Sequence, residues 1–164
     1  MFDVGDYIVY GINGICRVAD ITHPEISGAD NNRLYYVLIP EKERNSKLFC
    51  PADNDRIMIR KVVSNEEARQ IIEESKDIEP LDIPNERMRD DSYKSVMKSG
   101  DCRKWIQIIK TLHIRKKERE ENGKKITATD ERYLKMAEED LYSELALATG
   151  SDKEQIKEII LESI

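Results

Sequence analysis

The spacing of apolar residues changes once along this chain, near residue 62, and that change restricts the fold more than any other feature. Before it, short β-branched and aromatic runs alternate with turn-forming residues. After it, capping motifs and apolar residues spaced three and four apart predict helices. Because strands and helices occupy separate parts of the chain, we expect an α+β protein with a β domain followed by an all-α helical domain.

The first part contains five β-favouring runs, which predict a five-stranded Tudor-like or SH3-like β-barrel. Gly11-Ile12-Asn13-Gly14 joins the first two runs. Gly and Asn readily take positive φ, so we expect a tight hairpin there. Such a small sheet leaves edge strands open to a partner strand. The runs span 7–10, 15–21, 34–39, 47–50 and 57–62.

The second part carries the signals of helix starts and stops. Ser64 and Glu67 form a capping box that predicts a helix to about residue 75. The proline-containing acidic segment 77–84 is interpreted as a linker, so the expected organisation is 1–62, a helix with acidic linker over 63–84, and a helical domain over 85–164. Further helices are expected at 86–98, 102–121, 130–148 and 152–163, the last one capped by Ser151 with Glu154.

Charge is distributed unevenly along the chain. The net charge is −6, yet residues 87–125 hold 13 Lys and Arg against 6 Asp and Glu, a local excess of +7. Such a block can face a polyanion while the acidic remainder is repelled from it. The alternative interpretation, a lysine-rich helix surface that is only solvated, is equally compatible with the sequence.

Motifs of catalysis and metal binding are missing from the sequence. No nucleotide-binding, metalloprotease or hydrolase motif occurs, and His23 and His113 are isolated. Cys16, Cys50 and Cys102 are widely spaced, which favours buried thiols over a disulfide framework or a zinc site. An enzyme, with Cys16 or Cys50 as nucleophile, is therefore the weakest class. We expect no metal, cofactor or small-molecule substrate.

The hydropathy pattern predicts a cytoplasmic protein without a membrane segment. No apolar run approaches the ~18 residues that a membrane-spanning helix requires. The N-terminal residues include Asp3 and Asp6 and lack the apolar core of a signal peptide.

Several stretches resemble one protein family. FDVGDYIVYGINGICRV, LYYVLIP and the short run ending at Pro51 are similar to the RNA-polymerase-interacting module of the CarD family of bacterial transcription regulators, a module also found in transcription-repair coupling factors. KSGDCRKWIQIIKTLHIRKKE and TATDERYLKMAEEDLYSELALATG resemble the helical C-terminal domain of CarD itself. Since the coupling factors match only the first part, the helical half favours a standalone CarD-type regulator.

The resemblance implies two binding surfaces. The barrel would dock on the RNA polymerase β subunit through a barrel edge, here near Ile26, Arg33, Lys47 and Phe49. Phe49 could anchor that interface or point into the barrel core, and the alternation with Leu48 leaves both open. The helical domain would contact promoter DNA at the upstream edge of the melted region and alter open-complex stability. The cations offered for that contact are Arg87, Arg89, Lys94, Lys98, Lys116 and Lys117.

The sequence departs from the family pattern at two positions. CarD proteins typically place a tryptophan, a wedge that inserts against bases, at the start of the first helix after the linker, a position that falls near Glu86 here, where no aromatic residue occurs. Trp105 lies in an apolar stripe and is interpreted as a core residue. Near Glu131 the family often carries a lysine that faces DNA, and the charge is reversed here. We therefore expect polymerase docking with weak or altered DNA contact. A protein-binding adaptor that never touches DNA is the alternative.

Overall fold

The computed structural model describes residues 1–23 and 32–164, which form two compact units, Met1–Val62 and Val63–Ile164. The first unit is an antiparallel sheet in the strand order β4-β3-β2-β1-β5. Strands β4 and β5 lie at opposite edges, so the predicted Tudor-like β-fold is confirmed as an open sheet and not as a closed barrel. The strands are β1 (Tyr7–Tyr10), β2 (Ile15–Thr22), β3 (Tyr35–Pro40), β4 (Leu48–Pro51) and β5 (Ile59–Lys61).

The first hairpin follows the expected register, but its turn differs in conformation. Tyr7 pairs with Arg17 and Val9 with Ile15, and the connecting residues Gly11–Asn13 form one turn of 3-10 helix. The two glycines take positive φ, whereas no described non-glycine residue does. Gly11 is also required by packing, because a Cβ there would lie 2.7 Å from Ile57 Cγ2.

Five helices make up the second unit, close to the predicted positions. They are α1 (Asn65–Glu74), α2 (Arg89–Ser99), α3 (Cys102–Glu121), α4 (Ala128–Thr149) and α5 (Lys153–Glu162), with a 3-10 turn at Glu86–Met88 before α2. The Glu67 amide donates to Ser64 Oγ at 3.1 Å, which confirms Ser64 as the N-cap of α1. At α5 the expected capping box is wrong by one residue, since Asp152 caps the helix with Gln155.

Trp105 lies in the core of the helical unit. Its side chain is 1% exposed, and Ile108, Ile109 and Leu112 on the same face of α3 are fully buried. Helix α3 packs on α2 and α4, and α4 also contacts α1 and α5. The interpretation of Trp105 as a core residue is therefore confirmed.

The acidic segment after α1 is held against α3. Lys110, which is 4% exposed, donates through Nζ to the carbonyl oxygens of Ser75 and of Ile78, the latter at 2.8 Å. The Leu81 amide donates to Thr111 Oγ1 at 2.9 Å. Burial lowers the pKa of Lys110, against the opposing influence of nearby carboxylates. The segment expected to link two domains is thus fixed inside the helical unit, and the chain divides at residues 62 and 63.

We expect Lys110→Met to lower the free energy of unfolding by about 2–4 kcal/mol. The substitution keeps most of the buried volume but leaves two carbonyl oxygens without their charged donor, and hydrogen bonds to charged groups contribute about 1.5–3 kcal/mol each. Urea denaturation followed by circular dichroism measures the change. Lys104→Met, at an exposed position on the same helix, is the control and should change stability by less than about 0.5 kcal/mol.

Candidate functional site

The edge strand β4 presents Phe49 to solvent. Leu48 packs against the core of the sheet and Cys50 is fully buried, so the residue between them points outward, and Phe49 is 39% exposed. Strand β4 pairs with β3 through Val37 opposite Phe49. Its other edge pairs with no described strand. An exposed aromatic side chain beside unpaired backbone groups is typical of a protein-docking edge.

The two basic residues expected at this edge lie at its opposite ends. Arg33 precedes β3 and pairs with Asp53, its Nε donating to Oδ1 at 2.8 Å. This bond raises the pKa of Arg33 and lowers that of Asp53. Lys47 directly precedes β4, is exposed, and forms no ion pair with any described residue. Lys47 thus lies just before β4 and Arg33, through Asp53, just after it, with Phe49 between them. Ile26 lies outside the described residues.

A polar cluster surrounds the start of α2 and is built around Glu86. Arg89 donates to both carboxylate oxygens of Glu86, at 2.9 Å from Nε and 2.7 Å from Nη2. Arg115, near the end of α3, donates from Nη1 to Glu86 Oε1 at 3.3 Å and from Nε to Asp130 Oδ2 at 2.9 Å. The bonds from Arg89 hold the pKa of Glu86 below its usual range and raise that of Arg89. Arg89 and Arg115 therefore hold Glu86 as an ion-paired carboxylate.

Lys94 is neutralised by a neighbouring carboxylate in the same region. Its Nζ lies 3.0 Å from Asp90 Oδ2 one turn earlier, and this bond lowers the pKa of Asp90 and raises that of Lys94. Tyr133 donates to Asp90 Oδ1 at 3.2 Å. Two of the six cations predicted to face DNA, Arg89 and Lys94, are thus engaged within the protein.

The other four predicted cations have no such partner. Lys116 and Lys117 line a groove of about 650 Å³ between the ends of α3 and α5, together with Glu118, Glu120 and Glu121. Lys98 lies nine residues beyond Arg89 on α2, about 14 Å along the axis. No described carboxylate forms an ion pair with any of the four, which are Arg87, Lys98, Lys116 and Lys117.

The four cations without a described ion-pair partner lie at two ends of the helix pair formed by α2 and α3. The contact between Arg115 and Glu86 brings the part of α3 around residue 115 to the start of α2. Arg87, Lys116 and Lys117 therefore lie at the same end of this helix pair, although Lys116 and Lys117 line the groove beside Leu161 and Ile164. Lys98 lies at the other end, beside the Gly100 break. A single continuous stripe of all six is not formed.

Sequence reasoning missed Arg115 and Arg132. Arg115 lies within the basic run HIRKKE, but its partners are 29 and 15 residues away, so the run alone gives no sign of them. Arg132 lies over the Tyr133 ring, 5.0 Å from its centroid. The neighbouring Glu131 pairs with Lys135 at 3.5 Å.

The three cysteines are all buried, and none of them is in a disulfide. Burial raises the pKa of Cys16 to about 11 and also raises that of Cys50. Both thiols are therefore protonated at neutral pH, which does not suit a nucleophile. Within residues 1–23 and 32–164, no helix has the length and apolarity needed to cross a bilayer. The same residues contain no group of three or more His, Cys, Asp or Glu arranged to hold a metal ion.

Two family models match the chain and together cover nearly all of it. The CarD-like/TRCF RID domain matches residues 2–63, which is the sheet unit. The CarD C-terminal domain matches residues 61–161, which is the helical unit. The order of the two matches is that of CarD itself, and the proteins of this family bind RNA polymerase and regulate transcription. The chain therefore belongs to the CarD family of RNA-polymerase-interacting transcription regulators.

Proposed function

We propose that the sheet unit docks on the β subunit of RNA polymerase through β4. Three features support this surface: the open edge of β4, the exposed ring of Phe49, and the unpaired Lys47 at the start of the strand. Arg33 marks the far end of the same edge and already has a carboxylate partner. Aromatic and basic side chains on an edge strand suit a partner that adds a strand and carries acidic groups.

The helical unit, in this proposal, contacts promoter DNA and changes the stability of the open complex. Unpaired cations at the start of α2 and the end of α3 supply contacts to backbone phosphates. Glu86 cannot stack on a base, and its carboxylate repels phosphates, so the contact is weaker than that of a tryptophan-bearing relative. One observation carries the proposal: the same chain contains a sheet with an open edge strand and a helical unit with unpaired cations. We place this activity in the cytoplasm, without enzymatic chemistry.

A protein-binding adaptor is the second candidate, and two exposed carboxylates of the helical unit favour it. Glu86 and Glu131 are both exposed, with side chains 69% and 53% accessible, and both stand where the family pattern has a DNA-facing residue. An adaptor would use the helical unit for a protein partner and leave DNA untouched. Salt separates the two candidates, because phosphate contacts weaken steeply as salt is raised and a protein groove need not.

The lifetime of promoter open complexes tests the proposal. Purified full-length protein is added to RNA polymerase on a promoter fragment, and complex decay is followed after a heparin challenge. We expect the protein to change the lifetime, and Glu86→Trp to enlarge the change more than Glu86→Gln does, because only tryptophan supplies the missing stacking group. An unchanged lifetime, with polymerase still bound to the protein, would favour the adaptor. If Glu86→Trp did not change the lifetime while the wild type changed it strongly, the inference that a missing tryptophan weakens the DNA contact would be wrong.

A further inference from the structure

One oxygen atom of Glu86 lies between two guanidinium groups. Oε1 accepts from Arg89 Nη2 at 2.7 Å and from Arg115 Nη1 at 3.3 Å. The second oxygen accepts from Arg89 Nε at 2.9 Å. The three residues come from the turn before α2, from α2 and from α3. A single anionic group therefore bridges two arginines that belong to different helices.

Both arginines have a second anchor that does not involve Glu86. Arg89 Nη1 donates to the hydroxyl of Tyr93 at 2.8 Å, and Tyr93 is fully buried. Arg115 Nε donates to Asp130 Oδ2 at 2.9 Å, and Asp130 is also buried. These anchors fix the two guanidinium groups from the interior side. Removing the Glu86 carboxylate would leave them side by side and facing outward.

The components of this arrangement differ in exposure. The side chains of Arg89 and Arg115 are 17% and 24% exposed, whereas that of Glu86 is 69% exposed. The anion is thus the outermost and most replaceable member. Guanidinium groups bind carboxylates and phosphates with the same forked geometry, so an incoming phosphate oxygen could take the position of Oε1.

We propose that Arg89 and Arg115 form a clamp for one backbone phosphate of duplex DNA, and that Glu86 occupies this clamp as an internal anion. The inference rests on the proposed function and specifies how its DNA contact is weakened. Duplex DNA is favoured over an acidic protein because the clamp lies in the unit that the proposed function places against DNA, and the exposed, unpaired Arg87 adjoins it. The carboxylates beside the clamp, Asp90 and Asp130, are already bonded inside the cluster, whereas Lys116 and Lys117 share their groove with three glutamates.

Glu86→Gln in the full-length protein tests the clamp. Binding to a fluorescent 20-base-pair duplex is followed by anisotropy over a series of NaCl concentrations. We expect about 10-fold tighter binding at low salt and a salt slope steeper by about 0.9, which corresponds to one additional phosphate contact. Glu158→Gln makes the same charge change at an exposed position on α5 and should alter affinity by less than about 2-fold.

Arg115→Lys in the Glu86→Gln background is the second test, because lysine keeps the charge and loses the fork. We expect Arg115→Lys to remove most of the gain in duplex affinity. Circular dichroism reports whether the helices persist. Equal affinities for the Glu86→Gln and Glu158→Gln proteins would overturn the clamp. If Glu86→Gln increased the affinity for a polyglutamate peptide more than the affinity for the duplex, DNA would be overturned as the ligand of the clamp.

The failure of the clamp differs from the failure of the proposed function. If the wild type binds DNA with a steep salt dependence and Glu86→Gln adds nothing, the clamp is wrong and the proposed function stands. If the wild type does not bind the duplex while the Glu86→Gln protein does, the clamp is supported. The proposal that the natural protein contacts DNA is then wrong.

Discussion

Trp105→Ala is expected to lower the free energy of unfolding by about 3–5 kcal/mol, the range found when large aromatic side chains are removed from well-packed cores. Trp105 is 1% exposed and lies on the face of α3 that carries Ile108, Ile109 and Leu112. Neighbouring helices cannot fully collapse into the space that the indole leaves, so a cavity remains. Urea denaturation monitored by circular dichroism measures the effect without depending on tryptophan fluorescence.

Leu147→Ala is the control for this prediction. Leu147 is 43% exposed on α4, and its truncation should cost less than about 1 kcal/mol. A DNA-stacking role for Trp105 makes the opposite prediction. A Trp105→Ala protein of unchanged stability that had lost DNA affinity would mean that the only tryptophan had been misassigned to the core.

Replacing Arg87, Lys116 and Lys117 together with glutamine should weaken duplex binding roughly 100-fold at low salt. Each is an unpaired cation at one end of the helix pair formed by α2 and α3, and each lost phosphate contact reduces the salt slope by about 1. We therefore expect the slope of log affinity against log salt to flatten by roughly 3. Anisotropy titrations over a NaCl series measure both quantities.

The matched control carries the same three-charge change elsewhere, as Arg56→Gln, Lys76→Gln and Lys157→Gln. If the position of the charges matters, this control should lose only the small affinity that follows from net charge. Equal losses in the two triple variants would mean that the basic end of the helix pair has no special role in binding DNA.

The order and type of the elements followed from local signals. Ser64, Asp101 and Gly150 mark helix ends by chemistry that acts over four residues or fewer, and the structure places them at such ends. Strand β4 was predicted, but the direction of Phe49 was not. Leu48 and Phe49 are both apolar, so the sequence alternation could not tell which of them faces the core.

The polar cluster at Glu86 could not have been predicted from the sequence. Its members are separated by up to 44 positions, from Glu86 to Asp130, and their contact depends on how α2, α3 and α4 pack. The packing of the segment 77–84, which was interpreted as a linker, could not be predicted for the same reason. Pro80 and Pro84 correctly indicated irregular backbone, but only the buried amino group of Lys110 shows that this backbone is held against α3.

A binding titration shows whether the β4 edge of the sheet unit docks on RNA polymerase. Full-length protein is titrated against a purified fragment of the β subunit, with Lys47→Glu at the proposed edge. Lys76→Glu, at an exposed position of the helical unit without an ion pair to any described residue, is its matched control. We predict saturable binding that Lys47→Glu weakens at least about 10-fold and Lys76→Glu leaves nearly unchanged. No saturable binding at about 100 μM, or equal weakening by the two variants, would contradict docking through the β4 edge.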